Sequence, residues 1–171
     1  MYISRRALRQ QFDPRTYPRE AYLLCKLQWG ARGRNWIHWA RNDEINDYHV
    51  ERYFLEQIFE PRNYSFCDMT WYLSWSPCAG CCDIIQDFLE EQHNVHLDIH
   101  VARIYYAHVP RNRAGLRHLI MNGVAVHIMN LEGNPTALCL RSMLFVIRVA
   151  QATTMINFSP WKFIFRHIAT L

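Results

Sequence analysis

Apolar and polar residues alternate near the start of the chain in the pattern of a β-hairpin. Over residues 20–30, one face of the predicted strand carries Leu23, Cys25, Leu27 and Trp29. The Gly-Ala-Arg-Gly segment at 30–33 predicts a turn, and residues 34–42 predict the returning strand.

Helical and strand periods then alternate along the chain. Residues 49–59 place Val50, Phe54 and Ile58 on one face of a helix, and residues 67–76 return to the period of a strand. The elements that follow are a helix over 81–93, a strand over 95–106, a helix over 111–123 that ends at Gly123, and a strand over 124–129. This alternation predicts an α/β fold in which helices cover a partly parallel sheet.

The composition is that of one globular domain over residues 1–171. Half of the residues are apolar and 14% are aromatic, which supplies a substantial core. No apolar run reaches the roughly 18 residues of a membrane span, and the first residues lack the apolar core of a signal peptide. We therefore expect an intracellular protein without a membrane partner, whose six cysteines are thiols or metal ligands and not disulfides.

The net charge of +4 conceals an uneven distribution. Residues 1–41 carry a net charge of +7, residues 42–100 carry −10 and residues 101–171 carry +7. Two basic segments around an acidic middle either hold an anionic partner from both sides, if they meet in space, or are ordinary solvated surface. Charge alone favours the second interpretation.

Cys78 and Cys81 suggest a metal site. They lie three residues apart at the start of a predicted helix, so both sulfurs can face one point, and the helix N-terminus favours thiolates. A catalytic zinc ion needs three protein ligands and one open position, and His49 at the start of the earlier helix is the natural third ligand. Glu51 follows two residues later, where a carboxylate could move protons to and from a bound water.

Each of these residues also has an ordinary interpretation. Alone, the Cys-x-x-Cys pair is also typical of a redox pair or of half a structural zinc site, His49 of a surface or core histidine, and Glu51 of a first-turn helix acid. Cys82 points about 100° further round the helix than Cys81, so it is predicted to be a buried structural cysteine. The cysteines also predicted in the core are Cys25, Cys67 and Cys139.

The combination of these residues is more specific than its parts. The sequence reads His49-Val50-Glu51 and later Pro77-Cys78-Ala79-Gly80-Cys81, which is the H-x-E…P-C-x-x-C signature of zinc nucleobase deaminases. Through this signature the chain resembles the AID/APOBEC polynucleotide cytidine deaminases over residues 2–129, and most of all their apolipoprotein B mRNA-editing branch. The segments that carry the resemblance are YLLCKLQWG, HVERYFLEQIF, TWYLSWSPC, VARIYY and NRAGLRHL.

The resemblance implies a cytidine deaminase fold, with a five-stranded mixed β-sheet flanked by about six α-helices. It implies one Zn2+ ion per chain, held by His49, Cys78 and Cys81. Glu51 would be the catalytic residue that moves protons between water, the pyrimidine ring and the departing amine. The implied reaction is hydrolytic deamination of cytosine to uracil in single-stranded RNA or DNA.

The resemblance also implies contacts to the substrate. Trp75 and Tyr105 match the aromatic positions that wall the target base. The backbone of Ser76 matches the group that reads the amino group of the base, and Asn42 matches a sugar contact. The loop at 105–113 matches the one that sets the preference for the nucleotide 5′ to the target. The residues expected to contact phosphates are Arg15, Arg19, Arg111 and Arg113.

The resemblance ends after Met129. There the family continues with a Tyr-x-Tyr-Cys-Trp-like stretch, whereas residues 130–171 lack that aromatic pattern. Residues 137–151 still predict an apolar helix, and Ser159-Pro160 predicts the start of a short final helix. This atypical C-terminal tail either packs on the sheet by different contacts or promotes self-association.

Two other functions stay open at this point. A free-nucleoside cytidine deaminase would use the same chemistry without the flanking arginines and Tyr105. A catalytically silent relative would bind nucleic acid and use zinc only to hold the fold, although it would have no need of Glu51. The leading interpretation places the protein in the cytoplasm and the nucleus, with single-stranded RNA or DNA as its partner. It leaves room for an RNA-binding auxiliary protein and for an oligomer.

Overall fold

The computed structural model describes residues 5–13, 15–42, 48–62 and 65–129. Its helices are α1 (Arg5–Phe12), α2 (Val50–Tyr53), which continues into a π-helical turn (Phe54–Ile58), α3 (Ala79–Glu91) and α4 (Pro110–Met121). Its strands are β1 (Tyr22–Trp29), β2 (Asn35–Arg41), β3 (Cys67–Leu73), β4 (Val95–Val101) and β5 (Ala125–Ile128). The helices predicted over 137–151 and from Ser159-Pro160 lie outside the described residues.

The five strands form one mixed sheet in the order β2-β1-β3-β4-β5. β1 is antiparallel to both β2 and β3, so the predicted hairpin is confirmed. β4 is parallel to β3 and to β5. This is the predicted five-stranded mixed sheet of an α/β protein. The prediction of about six helices is slightly high for the described residues, which contain four.

Two predictions of secondary structure need correction. The strand predicted over 95–106 ends at Val101, because the chain turns there to bury Arg103, and residues 105–108 form a turn with Tyr106 at φ 38°. Helix α1 was not predicted, since its sequence is mostly polar. It forms against the sheet because Leu8 and Phe12, one helical turn apart, are both buried.

The main core lies on the sheet face that α2, α3 and α4 cover. The strand residues of this face alternate as the sequence predicted, and Trp71 at the centre of β3 is fully buried. The predicted helical face is also confirmed, because Val50, Phe54 and Ile58 are all buried there. Their constant spacing of four residues suits the wider π turn, in which the Phe59 N–H donates to the Phe54 carbonyl oxygen at 2.9 Å.

Helix α1 packs on the opposite face of the sheet. Phe12 is fully buried and meets Trp39 edge to face, with 6.1 Å between ring centroids. The residues that complete this smaller cluster are Leu8, Tyr22, Leu24, Tyr72, Ala102 and Met129. Among the described residues, no helix has the length and apolar character needed to cross a membrane.

The parallel pair β3 and β4 determines where chemistry can take place. Leu73 and Val101 are partners in register, so the two strands end side by side and the segments that follow them leave the same edge of the sheet. Helix α3 begins after the first segment and α4 after the second. Loops and helix N-termini thus meet at the carboxyl edge of the sheet, where α/β proteins bind ligands.

Candidate active site

Three side chains that could bind a metal meet at this edge of the sheet. His49 has an extended backbone and immediately precedes α2, and Cys78 occupies the same position before α3. Cys81 lies in the first turn of α3. The Nδ1 atom of His49 is 3.5 Å from the Cys78 sulfur and 3.3 Å from the Cys81 sulfur, and the three ligand atoms lie within 4.8 Å of one another. The structure therefore brings together the three residues predicted to bind zinc.

The spacing of these atoms fits a zinc ion. Tetrahedral coordination with ordinary zinc–sulfur and zinc–nitrogen bonds places a sulfur and a nitrogen about 3.6 Å apart. The two sulfur–nitrogen distances are 3.5 and 3.3 Å, so only a small adjustment is needed. One imidazole and two thiolates are ligands of the softness that zinc prefers. Three protein ligands also leave a fourth position for water, as in catalytic zinc sites.

The pKa values of the two thiols shift in opposite directions. The Cys81 thiol donates a hydrogen bond to the Cys78 sulfur, which lowers the pKa of Cys78 to about 5 despite its burial. The same hydrogen bond, together with burial, raises the pKa of Cys81. Of the two thiols, Cys78 therefore loses its proton more readily. A zinc ion would stabilise both thiolates by its own charge.

Glu51 lies beside the cluster, only 4% exposed. Burial raises the pKa of its carboxyl to about 7, the charge on Cys78 acts in the same direction, and nearby His49 opposes the shift. The Cys81 thiol, as a hydrogen-bond donor, also opposes the rise in the pKa of this carboxyl. A carboxyl group held next to three metal-ligating atoms is well placed to exchange protons with a water or a substrate there.

The other cysteines of the described residues are structural. Cys82 is 2% exposed, and burial raises its pKa to about 12. Its side chain packs against Gly115 of α4, where an added Cβ would come within 3.1 Å of the Cys82 Cβ. Cys25 and Cys67 are fully buried, and burial raises their pKa values as well. Cys139 lies outside the described residues.

Aromatic side chains border the cluster where a base wall was predicted. The rings of Trp75 and Tyr105 meet edge to face, 6.3 Å apart. The Trp75 indole N–H donates to the Pro18 carbonyl oxygen at 3.1 Å, which ties the wall to the connection between α1 and β1. Tyr17 on that connection is 80% exposed, and its ring lies 6.2 Å from that of Trp75. The sequence prediction did not include Tyr17, although an aromatic residue in a Pro-flanked loop was a usable signal.

Ser76 and Asn42 each form hydrogen bonds to other residues of the protein through some of their polar atoms. The Ser76 N–H donates to the Arg103 carbonyl oxygen at 2.7 Å, and its hydroxyl accepts from the Tyr105 N–H at 2.9 Å. Within the described part of the chain, its carbonyl oxygen accepts no backbone hydrogen bond from a loop or turn. The Asn42 Oδ1 atom accepts from the Val50 N–H at 3.1 Å, so Asn42 lies at the start of α2, next to His49.

The four predicted phosphate-binding arginines are all exposed, but they differ in their partners. Arg15 forms a bidentate pair with Asp13 at 2.7 and 2.9 Å, and this hydrogen bonding lowers the pKa of Asp13 to about 2. Arg113 donates to the Ala107 carbonyl oxygen at 2.7 Å, and Arg111 lies 4.0 Å from Asp83. Within the described residues, the side chain of Arg19 has no hydrogen bond or ion pair. The phosphate contacts stay predictions, and Arg15 is the weakest of them because its charge is already neutralised.

Two buried polar residues support the site and were not predicted. Asn112 of α4 is 8% exposed. Its Oδ1 atom accepts from the Ala79 N–H at 3.0 Å, and its Nδ2 atom donates to the Tyr105 carbonyl oxygen at 3.3 Å. Arg103 is 5% exposed and bonds to several carbonyl groups of other segments. The signal for Arg103 was a charged residue between Ala102 and Ile104, whereas nothing in the sequence distinguished Asn112.

Comparison with known proteins finds the same deaminase family as the sequence motif. A model of the APOBEC4-like AID/APOBEC deaminase family matches residues 11–144. The C->U-editing enzyme APOBEC-1 of Rattus norvegicus is 42% identical over 121 residues, which cover 69% of this chain and 52% of that protein. The Homo sapiens enzyme of the same name is 37% identical, with 69% and 50% covered. The DNA dC->dU-editing enzyme APOBEC-3Ca of Felis catus is 37% identical over 116 residues, with 66% and 57% covered. The chain thus spans about half the length of the curated relatives it matches.

Proposed function

The chain belongs to the AID/APOBEC family of deaminases, and on this premise we propose that it hydrolyses cytosine to uracil in single-stranded polynucleotides. The observation that carries the proposal is the meeting of His49, Cys78 and Cys81 around one point, with the buried Glu51 carboxyl beside them. A structural zinc site needs no such carboxyl, whereas hydrolytic deamination needs a group that transfers protons.

The ligand cluster supplies the metal part of this chemistry. His49, Cys78 and Cys81 would hold the zinc ion, which would supply a nucleophile near neutral pH by lowering the pKa of water. Overall, cytosine and one water give uracil and ammonia, with a new C4–O bond and a broken C4–N bond.

Glu51 carries the protons in this proposal. Its carboxylate takes one proton from the attacking water and gives it to N3 of the pyrimidine, and it later moves the other proton of that water to the departing amino group. Its position at the start of α2 keeps the carboxyl fixed next to the ligands. Trp75 and Tyr105, which meet edge to face, form the wall against which the ring lies, and the Ser76 carbonyl oxygen accepts from the amino group.

Two features support a polynucleotide substrate. The aromatic residues at the rim include Tyr17 and Tyr106, 80% and 55% exposed, which are available to stack neighbouring bases. The relatives reported above are named as C->U-editing and dC->dU-editing enzymes. The substrate should be single-stranded, because the target base must leave its stack to reach the buried carboxyl.

The test is uracil formation in cytosine-containing single-stranded DNA and RNA, with duplex DNA and free cytidine in parallel. We expect conversion of the single strands only. Glu51→Ala should retain zinc and the fold but lose activity on the order of 10²–10⁴-fold or more. The matched control is Glu56→Ala, because Glu56 follows in the π turn, is exposed and pairs with Arg52 at 2.7 Å.

Each alternative has its own outcome in this test. Conversion of free cytidine alone would indicate a nucleoside deaminase. No conversion by a folded, zinc-loaded protein that binds the oligonucleotides would indicate a silent relative. Retained activity in Glu51→Ala would refute the proposed role of Glu51.

The proposal extends to location and partners. We place the protein in the cytoplasm and the nucleus, where single-stranded RNA and DNA are available, which imaging of the tagged full-length chain would test. It leaves room for an RNA-binding auxiliary protein and for an oligomer, which co-purification and analytical ultracentrifugation would detect.

A further inference from the structure

Arg103 uses every donor of its guanidinium group inside the protein. Its five N–H groups donate to the carbonyl oxygens of Gln11, Asp13, Thr16 and Ser74 and to the Thr16 hydroxyl, at 2.5 to 3.0 Å. The residue is 5% exposed. Burying a cation costs free energy, and every donor of the guanidinium group needs an acceptor in a fixed direction.

The acceptors are neutral, which argues against a simple ion pair. The nearby carboxylate of Asp13 is bonded to Arg15, and only the Asp13 carbonyl oxygen accepts from Arg103. A buried charge bonded to neutral carbonyl groups contributes little net stability compared with an apolar side chain. Arg103 instead holds neighbouring segments in place, because its five directed hydrogen bonds fix the positions of the segments that carry the acceptors.

Both fixed segments lead to the aromatic wall predicted to border the target base. One is the connection between α1 and β1, where Thr16 is followed by Tyr17 and Pro18. The other is the segment after β3, where Ser74 is followed by Trp75. The Arg103 guanidinium carbon also lies 5.1 Å from the centroid of the Trp75 ring, in a cation–π contact.

Trp75 joins the two segments directly. Its indole N–H donates to the Pro18 carbonyl oxygen, and its ring lies next to that of Tyr17, which is 80% exposed. Tyr17 and Trp75 therefore form a continuous aromatic surface that extends from the predicted base wall to solvent. We call this surface the rim surface.

We propose that Arg103 is a positioning residue that sets Tyr17 and Trp75 as one stacking surface for a base next to the target cytosine. The proposal rests on the proposed function, because it takes a single-stranded polynucleotide as the ligand. It assigns Tyr17 to the neighbouring base and gives Arg103 no contact with the substrate.

The test compares four variants. Arg103→Met removes the five hydrogen bonds but keeps the volume, and Arg103→Lys keeps the charge without the planar fork. Tyr17→Ala removes the stacking ring and leaves the bonds of Arg103 in place. Ile99→Ala is the control for instability, because Ile99 lies in β4, just before the segment that carries Arg103, and is fully buried in the core on the sheet face opposite α1.

The first readout is amide hydrogen exchange, which needs neither substrate nor activity. Arg103→Met and Arg103→Lys should both accelerate exchange over residues 13–19 and 74–76, on the order of tenfold or more, while β1 and β4 stay protected. Tyr17→Ala should leave exchange unchanged. Ile99→Ala should accelerate exchange in the strands without favouring the rim surface.

The second readout is equilibrium binding of single-stranded oligonucleotides, measured by fluorescence anisotropy in proteins that also carry Glu51→Ala. Each oligonucleotide has the bases beside the cytosine intact or has one of them replaced by an abasic site. With Tyr17 and Arg103 present, loss of the stacked base should weaken binding roughly 5- to 150-fold. In Tyr17→Ala and Arg103→Met this penalty should fall to near one, and in Ile99→Ala it should persist.

Several results would overturn the inference. Exchange in Arg103→Met that matches the wild-type protein, or that rises uniformly as in Ile99→Ala, would show that Arg103 does not fix the rim surface. A localised rise in exchange with an unchanged abasic-site penalty would show that the rim surface takes no base. An equal penalty with and without the Tyr17 ring would refute the assignment of Tyr17. Absence of deamination in the wild-type protein would count against the proposed function, and the exchange and binding readouts would still decide the role of Arg103.

Discussion

Replacing Asn112 by alanine should weaken the start of α3, the helix that carries both cysteine ligands. Ala79 is the first residue of that helix, and the side chain of the preceding Cys78 makes no capping hydrogen bond. Asn112 of α4 provides the cap instead, through Oδ1 at 3.0 Å from the Ala79 nitrogen. Its Nδ2 atom also holds the Tyr105 carbonyl oxygen at 3.3 Å. One side chain thus links a ligand-bearing helix to the base wall.

The size of the effect follows from burial. Asn112 is 8% exposed, so Asn112→Ala leaves the Ala79 N–H without a partner in a place that water reaches poorly. An unsatisfied buried donor costs about 1–3 kcal/mol, and loss of a helix cap alone about 1 kcal/mol. The longer bond to Tyr105 adds less. We expect the free energy of unfolding to fall by about 2–3 kcal/mol.

The assay is urea unfolding at a fixed free zinc concentration, since bound metal contributes to the measured free energy. Competition with a chelator gives the zinc affinity, which should also fall because Cys78 lies next to the lost cap. Asn112→Asp keeps an acceptor at the helix N-terminus, so it should retain more stability than Asn112→Ala. The matched control is Asn122→Ala, because Asn122 links the same two helices through an exposed bond to Gln86 at 3.2 Å.

The control should change the free energy of unfolding by less than about 0.5 kcal/mol. If Asn112→Ala unfolded within that same margin of the wild-type protein, the cap would not matter. The assignment of Asn112 as a support of the site would then be wrong.

Three further predictions concern the thiols, the helix packing and pH. Cys81→Ala should abolish stoichiometric zinc while Cys82→Ala retains one equivalent, as measured by inductively coupled plasma mass spectrometry; the reverse result would exchange their roles. Gly115→Ala should destabilise the fold by about 1–2 kcal/mol, because the new methyl group meets Cys82 at 3.1 Å, whereas Gly80→Ala in open helix should be neutral or stabilising by up to about 1 kcal/mol. Equal unfolding midpoints for these two variants would contradict the packing argument. Burial lowers the pKa of His38 to about 4, so the unfolded chain takes up this proton first as the pH falls below about 6.5. Stability should therefore drop between pH 6.5 and 4 by up to about 3 kcal/mol more in the wild-type protein than in His38→Gln, and parallel curves would refute this.

Local patterns predicted much of the fold and part of the site. The alternation through Cys25 and Leu27 placed β1 correctly, because the side chains of a strand alternate wherever the strand lies. Cys78 and Cys81 could be paired from the sequence because residues three apart on a helix share a face. The exposed pair of Asp13 and Arg15, which weakens Arg15 as a phosphate contact, could also be predicted from the sequence, because the two residues are only two positions apart.

Other parts of the site depended on resemblance or on the structure. No local rule relates His49 to cysteines 29 and 32 residues later, so the shared motif supplied that link and the sheet brought the atoms within 3.5 Å. Arg103 finds acceptors 87 to 92 residues away in sequence, and Asn112 caps a helix 33 residues before it.

The sequence by itself determined the order of the five strands and of helices α2, α3 and α4, the signature and the family, because these depend on residue identity and on spacing along the chain. Only the tertiary structure decided which buried polar groups support the site and which aromatic residues reach its rim. A hydrogen bond forms only when donor and acceptor come within about 3 Å in a suitable direction. For segments far apart in sequence, that approach is set by how the helices and the sheet pack together.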